Sequence, residues 1–114
     1  TKNNASAMGG AVSLWGTTTV IEDSTFTNNS TASHAEKGSS LGGALYLRSG
    51  VWGGAENLSA SIKNSTFDGN SVKGTSAQGG ALYAKSDYDS EKDKHYILNL
   101  DLDNVTFKNN TSDS

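Results

Sequence analysis

The chain has 114 residues, of which 33% are hydrophobic and 13 are glycine, with no proline and no cysteine. An apolar share this low makes an ordinary globular core hard to build, and the lack of cysteine excludes a disulfide framework or a thiolate metal site. The net charge of −3 favours neither nucleic acid nor an anionic membrane as a partner. No apolar run approaches the ~20 residues of a membrane-spanning helix.

Two short motifs alternate along the chain, and each occurs three times. The first is Gly-Gly-Ala followed by Leu or Val, and the second, further downstream, is Phe-x-x-Asn. Self-similarity at this period predicts a solenoid, in which each repeat buries its apolar face against its neighbours. The motif residues are Gly9 and Gly10 with Phe26 and Asn29, Gly42 and Gly43 with Phe67 and Asn70, and Gly79 and Gly80 with Phe107 and Asn110.

Before each phenylalanine, apolar residues alternate with polar ones, which predicts a strand with one inward face. The alternation is clearest in the third copy, over Leu98-Asn99-Leu100-Asp101-Leu102. An Asp or Asn lies three residues before each phenylalanine, and both residue types tolerate the left-handed conformation of a sharp corner. We therefore predict corners at Asp23, Asn64 and Asn104, each followed by a short strand that points its phenylalanine inward.

A second corner is predicted at the asparagine of each Phe-x-x-Asn motif, followed by a polar loop that leads to the next glycine pair. Glycine there permits a positive φ and a close approach of two backbones. The strand after each glycine pair alternates again and places its aliphatic residues inward. Its outward positions carry Ser13, Tyr46 and Tyr83.

These elements predict an all-β chain that coils into a parallel β-helix of about three rungs, spaced ~4.8 Å apart. The phenylalanines should form one column, and the corner asparagines should form hydrogen-bonded ladders along the axis. The three copies cover approximately residues 1–29, 30–70 and 71–114. Lys2-Asn3-Asn4 matches Lys108-Asn109-Asn110, and neither end shows a capping repeat, so we expect a fragment of a longer array.

The alternating motifs resemble the repeat pair of the chlamydial polymorphic membrane proteins and of related bacterial autotransporter passengers. The resemblance covers essentially the whole chain and rests on the six motif occurrences. It implies a right-handed β-helical passenger on the outer surface of a bacterium, exported through a C-terminal β-barrel. It also implies a role in adhesion to host cells, through a cell-surface protein or glycan as partner.

After the strand that follows the glycine pair, the second and third copies each carry an insertion that is nearly absent in the first, and such insertions often form the binding side of a solenoid. One runs from residue 48 to 57 and carries Trp52 among glycines, and the other runs from 85 to 96. Aromatic residues on a rigid surface are favourable contacts for proteins and sugars. The alternative is that these aromatics pack between copies beneath the insertions. The candidate partner-binding residues are Trp52, Tyr46, Tyr83, Arg48, Tyr88 and Tyr96.

Acidic residues alternate in the second insertion, at Asp87, Asp89, Glu91 and Asp93. Carboxylates can hold Ca²⁺, but the spacing lacks the glycine of an EF-hand loop and lysines are interleaved, which favours a solvated loop. His34 and His95 are single histidines in predicted loops. We expect no metal and no cofactor.

Three functions from different classes remain open for the chain. The first is an extracellular, non-catalytic adhesin segment of the bacterial cell surface or outer membrane. The second is a structural spacer within a passenger. The third, a carbohydrate-active enzyme, is disfavoured because the predicted inward face is aliphatic and because Asp101 and Asp103 lack acidic neighbours on the preceding rung. Exposed edge strands at both ends also predict self-association.

Overall fold

The computed structural model describes residues 2–33, 38–50 and 57–113. Over these ranges the regular secondary structure consists of β-strands, and no helix has the length and apolar character needed to cross a membrane. In chain order the strands are β1 (Asn4–Ala5), β2 (Val12–Trp15), β3 (Thr18–Glu22), β4 (Thr25–Thr27), β5 (Ser30–Ala32), β6 (Ser39–Leu41), β7 (Leu45–Ser49), β8 (Leu58–Asp68), β9 (Ser71–Lys73), β10 (Ser76–Gln78), β11 (Leu82–Ser86), β12 (Tyr88–Asp89), β13 (Lys94–His95), β14 (Leu98–Lys108) and β15 (Thr111–Asp113).

Three parallel sheets join the copies of the repeat. The asparagine sheet has the order β1-β5-β9-β15, and the glycine sheet, which follows the glycine pairs, has the order β11-β7-β2. The phenylalanine sheet has the order β14-β8-β3, with β4 also paired to β8. In addition, β10 pairs with β6 in parallel, whereas β12 and β13 form an antiparallel hairpin. The predicted all-β class with parallel strands is confirmed.

Equivalent motif residues pair directly between neighbouring strands. Phe67 is the register partner of both Phe26 and Phe107. The ring centroids are 4.7 Å apart for Phe26 and Phe67 and 5.0 Å apart for Phe67 and Phe107, and both ring pairs are stacked. The predicted aromatic column is therefore confirmed, and it fixes the register of the phenylalanine sheet.

The core follows the predicted alternation and is deepest in the middle copy. In β8 the side chains of Leu58, Ala60 and Ile62 are buried, and the polar residues between them are more exposed. Phe67 lies in the same cluster, at 0% exposure. The outer copies contribute partly buried residues that pack against this cluster: Val12, Leu14, Ile21, Phe26, Leu82, Leu98, Leu100 and Val105.

The first set of predicted corners is confirmed by the backbone conformation. Asp23, Asn64 and Asn104 have φ values of 49°, 50° and 53°. The expectation of a separate short strand after each corner holds only in the first copy. In the other two copies, β8 and β14 continue through the corner as strands of 11 residues each, because the hydrogen-bonded ladder between them resumes directly after it.

The second set of corners lies one residue earlier than predicted. The positive φ values occur at Asn28, Gly69 and Asn109, whereas the following asparagines of the motif turn inward. Asn29 and Asn70 are both at 0% exposure. The prediction was wrong here because the motif asparagine supplies a buried amide, and its neighbour adopts the left-handed conformation.

The buried amides form the predicted ladder. Asn70 Oδ1 accepts hydrogen bonds from Asn29 N and Asn29 Nδ2, both at 3.0 Å. Asn29 Oδ1 accepts in turn from Asn3 N at 3.0 Å and from Asn3 Nδ2 at 3.1 Å. Asn3, and not Asn4, therefore occupies the ladder position, and Asn4 pairs with Ser30. The alignment of Asn4 with Asn110 was wrong by one residue.

The stretch predicted as a polar loop contains short strands, β5 and β6 in one copy and β9 and β10 in the next. Thr31 and Ser40 are fully buried. Their hydroxyls donate to backbone carbonyls, Thr31 Oγ1 to Gly42 O at 2.9 Å and Ser40 Oγ to Lys73 O at 2.7 Å. These bonds offset the cost of burying the hydroxyls, which explains why polar residues occupy inward strand positions here.

The two glycines of each pair have different roles, as the middle copy shows. Gly42 has a φ of 70°, a left-handed conformation that glycine adopts without steric cost. Gly43 lies against the next copy, where an added Cβ would collide with Gly80 O and would lie 2.8 Å from Ser71 N. The predicted positive φ and close backbone approach are both confirmed.

Candidate functional site

The second insertion forms a β-hairpin, and this hairpin is the centre of the candidate site. Tyr88 pairs with His95 and Asp89 pairs with Lys94 in antiparallel register. Asp89 Oδ1 accepts hydrogen bonds from the backbone N–H groups of Glu91 at 3.0 Å and Lys92 at 3.3 Å. A carboxylate that binds nearby backbone donors stabilises a tight turn. The solvated loop predicted for this stretch is therefore an ordered hairpin.

An ion pair fastens the base of the hairpin to the glycine sheet. Arg48 Nε donates to Asp87 Oδ2 at 2.7 Å, and Arg48 Nη2 donates to Asp87 Oδ1 at 3.0 Å. The two side chains are only 19% and 8% exposed. This bidentate geometry is stronger and more directional than a single contact. The hydrogen bond to Asp87 is also the main reason why the pKa of Arg48 lies above its usual value.

Backbone hydrogen bonds reinforce the same junction, which we call the clasp: Arg48, Ser49, Asp87 and Tyr96. Asp87 N donates to Ser49 O, and Tyr96 N donates to Asp87 O, both at 3.0 Å. Gly50 lies beside the clasp, where an added Cβ would collide with the Asp87 side chain. The clasp therefore couples the hairpin of the third copy to a strand of the second.

Aromatic residues pack beneath the clasp, as the alternative expectation proposed. Tyr46 stacks on Tyr83 with ring centroids 5.6 Å apart, and its ring lies 5.8 Å from that of Trp15. Arg48 extends over the Trp15 ring at 5.0 Å and donates from Nη1 to the Tyr46 hydroxyl at 3.3 Å. Tyr46 is consequently at 0% exposure. Its expected role as a surface contact is corrected, because its neighbours cover both ring faces.

Tyr96 is the second candidate that the structure places inside. Its exposure is 3%, and Lys94 Nζ lies 5.0 Å from its ring centroid. Arg48 is partly buried, and its guanidinium is bound to the Asp87 carboxylate. Tyr83 is partly buried in the stack with Tyr46. Trp52 lies outside the described residues, as does His34.

The outer face of the hairpin is the part that solvent can reach. Tyr88 is 48% exposed, and its ring stacks on that of the exposed His95 with centroids 4.5 Å apart. Ile97, two residues after His95 in the chain, is 55% exposed. Tyr88 Oη donates to Asp93 Oδ1 at 2.6 Å, which raises the pKa of the Tyr88 phenol. We call Tyr88, His95 and Ile97 the hairpin patch.

Three of the four acidic residues of the hairpin accept hydrogen bonds from protein donors. Asp87 binds Arg48, Asp89 binds backbone amides, and Asp93 binds the Tyr88 hydroxyl. Within residues 2–33, 38–50 and 57–113, no three His, Asp or Glu side chains are grouped in a way that would hold a metal ion. The Asp87 carboxylate anchors the hairpin, and the Asp89 carboxylate stabilises its turn.

Sequence reasoning missed the partner of Arg48, although a signal was present. Ser86 is the register partner of Ser49, so the next position places Asp87 opposite Gly50. A glycine at the end of one strand leaves room for a side chain that comes from the next copy. An arginine, a glycine and an aspartate in these register positions would have predicted the clasp.

One comparison with known proteins gave a match. Residues 23–48 and 64–85 match the family model described as the Chlamydia polymorphic membrane protein repeat. Each matched stretch runs from a corner residue of the phenylalanine sheet through a Phe-x-x-Asn motif to the strand after a glycine pair. No match was found among curated proteins or among solved structures.

Proposed function

We propose that this chain, which carries polymorphic membrane protein repeats, is a segment of a surface-exposed bacterial adhesin of the autotransporter type. Membership of that repeat family favours a location at the outer membrane or cell surface. In this proposal the stacked repeats form a stalk without catalytic function. The hairpin patch is the part that meets a host cell-surface protein or glycan.

The stalk in this proposal is a right-handed parallel β-helix of three rungs. The in-register pairing of Phe26, Phe67 and Phe107 supports it, as does the continuous asparagine ladder. The three parallel sheets would then be the faces of the coil, and the hairpin would project from one face. The right hand follows from the family resemblance.

The braced hairpin is the observation that carries the adhesin proposal. A two-stranded hairpin is marginally stable alone in water, yet this one is fastened by a bidentate ion pair and two backbone hydrogen bonds. A braced element loses less conformational entropy on binding than a mobile loop does. Tyr88 then offers a large amphipathic ring at a fixed position, which is typical of contact residues with high binding energy.

The experiment measures binding of the labelled chain to cultured epithelial cells. The test variant combines Tyr88→Ser with His95→Ser, which removes the exposed rings and leaves Asp87 and Tyr96 in place. The matched control is Val20→Ser, because Val20 is 63% exposed in a different sheet. The proposal predicts saturable binding of the parent and the control, together with loss of binding by the double variant at unchanged β circular dichroism.

A spacer role is the second candidate, and the burial of Tyr46 and Tyr96 favours it. These aromatics stabilise the junction between copies and leave fewer side chains for a partner. The spacer role predicts that neither the parent nor the variants bind cells. It also predicts that replacing residues 88–95 by a Gly/Ser link does not change cell binding. Saturable binding that is unchanged in the double variant would place the contact elsewhere on the chain and would refute the role of the hairpin patch.

A further inference from the structure

The two sides of the hairpin differ in exposure, and the alternation of side chains along its strands explains the difference. Tyr88 and His95 are register partners and therefore point to the same side. Their chain neighbours Asp87 and Tyr96 alternate to the opposite side, where both belong to the clasp. The side with Tyr88 and His95 therefore faces away from the junction between the copies.

The exposure of the hairpin patch comes from the lateral surface of the stack and not from a strand edge. The hairpin strands β12 and β13 form a two-stranded sheet of their own. Leu98 is the register partner of Leu58, so Asn57 is the equivalent of Ile97 in the middle copy, and it is exposed as well. Because the middle copy has a neighbour on each side, a position exposed there lies on the lateral surface.

The hairpin patch combines an aromatic surface with a hydrogen-bond acceptor. Tyr88 stacks on His95 with one face of its ring, and about half of the residue remains exposed. The neighbouring Asp93 accepts the Tyr88 hydroxyl through Oδ1, and a carboxylate has about four acceptor positions. The remaining positions can accept hydroxyl groups in charge-assisted hydrogen bonds. A flat apolar ring beside a carboxylate suits a sugar, which has a face of C–H groups and hydroxyls around its rim.

The size of the hairpin patch favours a sugar over a protein partner. An aromatic side chain buries about 150–250 Å² when it is fully covered. The three partly exposed side chains of the patch therefore offer well below the roughly 800 Å² per partner of a stable protein interface. A single sugar ring, by contrast, is comparable in size to one aromatic ring.

The charge around the hairpin patch distinguishes between classes of sugar. Residues 87–96 carry four carboxylates and two lysines. Arg48 balances the Asp87 carboxylate, and the remaining carboxylates outnumber the two ammonium groups. A sugar with a carboxylate or sulfate group is repelled by this excess of negative charge, whereas a neutral hexose is not.

We infer that the hairpin patch binds a terminal neutral hexose of a host glycan. The apolar face of the sugar lies on the Tyr88 ring, and its hydroxyls donate to Asp93. This inference rests on the proposed adhesin function and names the class of its ligand. A contact with so few atoms has weak affinity, which many chains on one cell surface raise through avidity.

Saturation-transfer NMR tests the inference with four probes: the methyl glycosides of glucose, galactose and mannose, and methyl glucuronide. The glucuronide is matched to the glucoside and carries a carboxylate in place of the hydroxymethyl group. Saturation transfer is expected to at least one neutral glycoside, and it should be strongest at the C–H groups of one face of the sugar. Transfer to the glucuronide should be weaker.

Four variants separate the contributions of the ring, the hydroxyl and the carboxylate. Tyr88→Ser removes the ring and should abolish the transfer, whereas Tyr88→Phe keeps the ring and should retain it. Asp93→Asn should weaken the transfer, because an amide lacks the charge and offers fewer acceptor positions. Val20→Ser, at an exposed position of β3, is the control and should leave the transfer unchanged.

Three results would overturn the inference. The first is the absence of saturation transfer to all three neutral glycosides at millimolar concentrations. The second is transfer that persists in Tyr88→Ser with unchanged β circular dichroism. The third is stronger transfer to methyl glucuronide than to every neutral glycoside.

Cell binding separates the inference from the proposed function. The inference predicts that periodate oxidation of cell-surface sugars, or an excess of the binding glycoside, abolishes binding of the parent chain to epithelial cells. Binding that requires Tyr88 and His95 but survives both treatments would overturn the hexose ligand and would support an adhesin with a protein partner. Absence of binding to untreated cells, with saturation transfer intact, would refute the adhesin role and support the hexose site.

Discussion

At the scale of single residues, the buried asparagine binds both backbone and side-chain groups of the neighbouring copies. Asn70 Nδ2 donates to Asn110 Oδ1 at 3.0 Å and to Phe26 O at 2.9 Å, while Asn70 Oδ1 accepts from Asn29. The amide is at 0% exposure and is satisfied on both sides. A fully bonded buried amide is compatible with a stable core, whereas a partly bonded one is costly.

The first prediction follows from this amide. Asn70→Ala removes the acceptor of two buried donors, the backbone N–H and the side-chain amide of Asn29, and a buried donor left without a partner costs about 1–3 kcal/mol. Urea unfolding should show a loss at least this large. Asn99→Ala, at an exposed position of β14, should change the free energy of unfolding by less than about 0.5 kcal/mol. Equal losses for the two variants would mean that the ladder contributes no specific stability.

The position of the left-handed residue shows where residue type alone is ambiguous. In Phe26-Thr27-Asn28-Asn29 both final residues are asparagines, and either one tolerates a positive φ. The second copy distinguishes the two positions, because Gly69 is the equivalent of Asn28 and glycine readily adopts a positive φ. The sequence predicted the conformation correctly and its position incorrectly, since the ladder itself depends on contacts between distant residues.

The second prediction concerns the exposed hydrogen bond of Tyr88. The bond to Asp93 raises the pKa of the phenol above its ordinary value of 10.0. Its stabilisation is therefore fully present below pH 10.0 and is lost as the pH rises through the folded-state pKa. Asp93→Asn should lower the ionisation pH of Tyr88. The midpoint of Tyr88 ionisation is measured by the absorbance of tyrosinate during a pH titration. The Tyr88→Phe variant identifies which part of the absorbance change belongs to Tyr88. An unchanged midpoint in Asp93→Asn would contradict the assigned cause.

At the scale of elements, the hairpin and the clasp were the least predictable parts of the chain. The strands β12 and β13 have two residues each, too few for a period of two to be recognised. By contrast, the strands before the phenylalanines show a long alternation, and both their existence and their inward residues were predicted. Periodic elements can be predicted from the sequence because their pattern repeats, whereas the path of an insertion depends on individual contacts.

The third prediction tests the clasp. Arg48→Lys keeps a positive charge but loses the planar, bidentate geometry towards Asp87. The hairpin should open more often, so amide hydrogen exchange at residues 88–95 should become faster while exchange in β8 stays slow. Lys85→Ala changes the exposed neighbour of Arg48 in the register and serves as the control. Exchange at 88–95 that is equally slow in Arg48→Lys would show that the backbone hydrogen bonds hold the hairpin without the ion pair.

At the scale of the whole molecule, position in the stack determines how much a repeated residue contributes. Phe67 has a phenylalanine on each side and no exposure, whereas Phe107 has one neighbour and is 45% exposed. The sequence treats the two as equivalent, since they occupy the same motif position. Their difference arises from the order of the copies. Phe67 lies in the middle copy and Phe107 in the third, and the repeated motif does not distinguish these two places.

The fourth prediction compares these two residues in the monomer. Phe67→Ala should cost about 3–5 kcal/mol, as for a fully buried phenylalanine. Phe107→Ala should cost clearly less, because part of its ring is already in contact with water. Urea unfolding at concentrations where the chain is monomeric measures both. Equal costs would contradict the view that burial is deepest in the middle copy.

The burial of Tyr46 and Tyr96 is also a whole-molecule effect. Tyr46 occupies an outward strand position as predicted, yet Trp15, Tyr83 and Arg48 cover it. The outward direction followed from a period of two. The covering depends on rings of the two neighbouring copies and on Arg48, which Asp87 of the third copy binds, and no local pattern encodes these contacts.

In-register stacking of the three copies is the central claim, and disulfide formation between paired cysteines tests it most directly. The natural chain has no cysteine, so pairs of substitutions at Thr25, Thr66 and Thr106 report on these positions alone. Register pairing places Thr66 next to both of the others, within the separation that a disulfide spans. We predict rapid oxidation of the 25/66 and 66/106 pairs in the monomer and none of the 25/106 pair. Equal oxidation of all three pairs, or preferential oxidation of 25/106, would contradict the stacked arrangement.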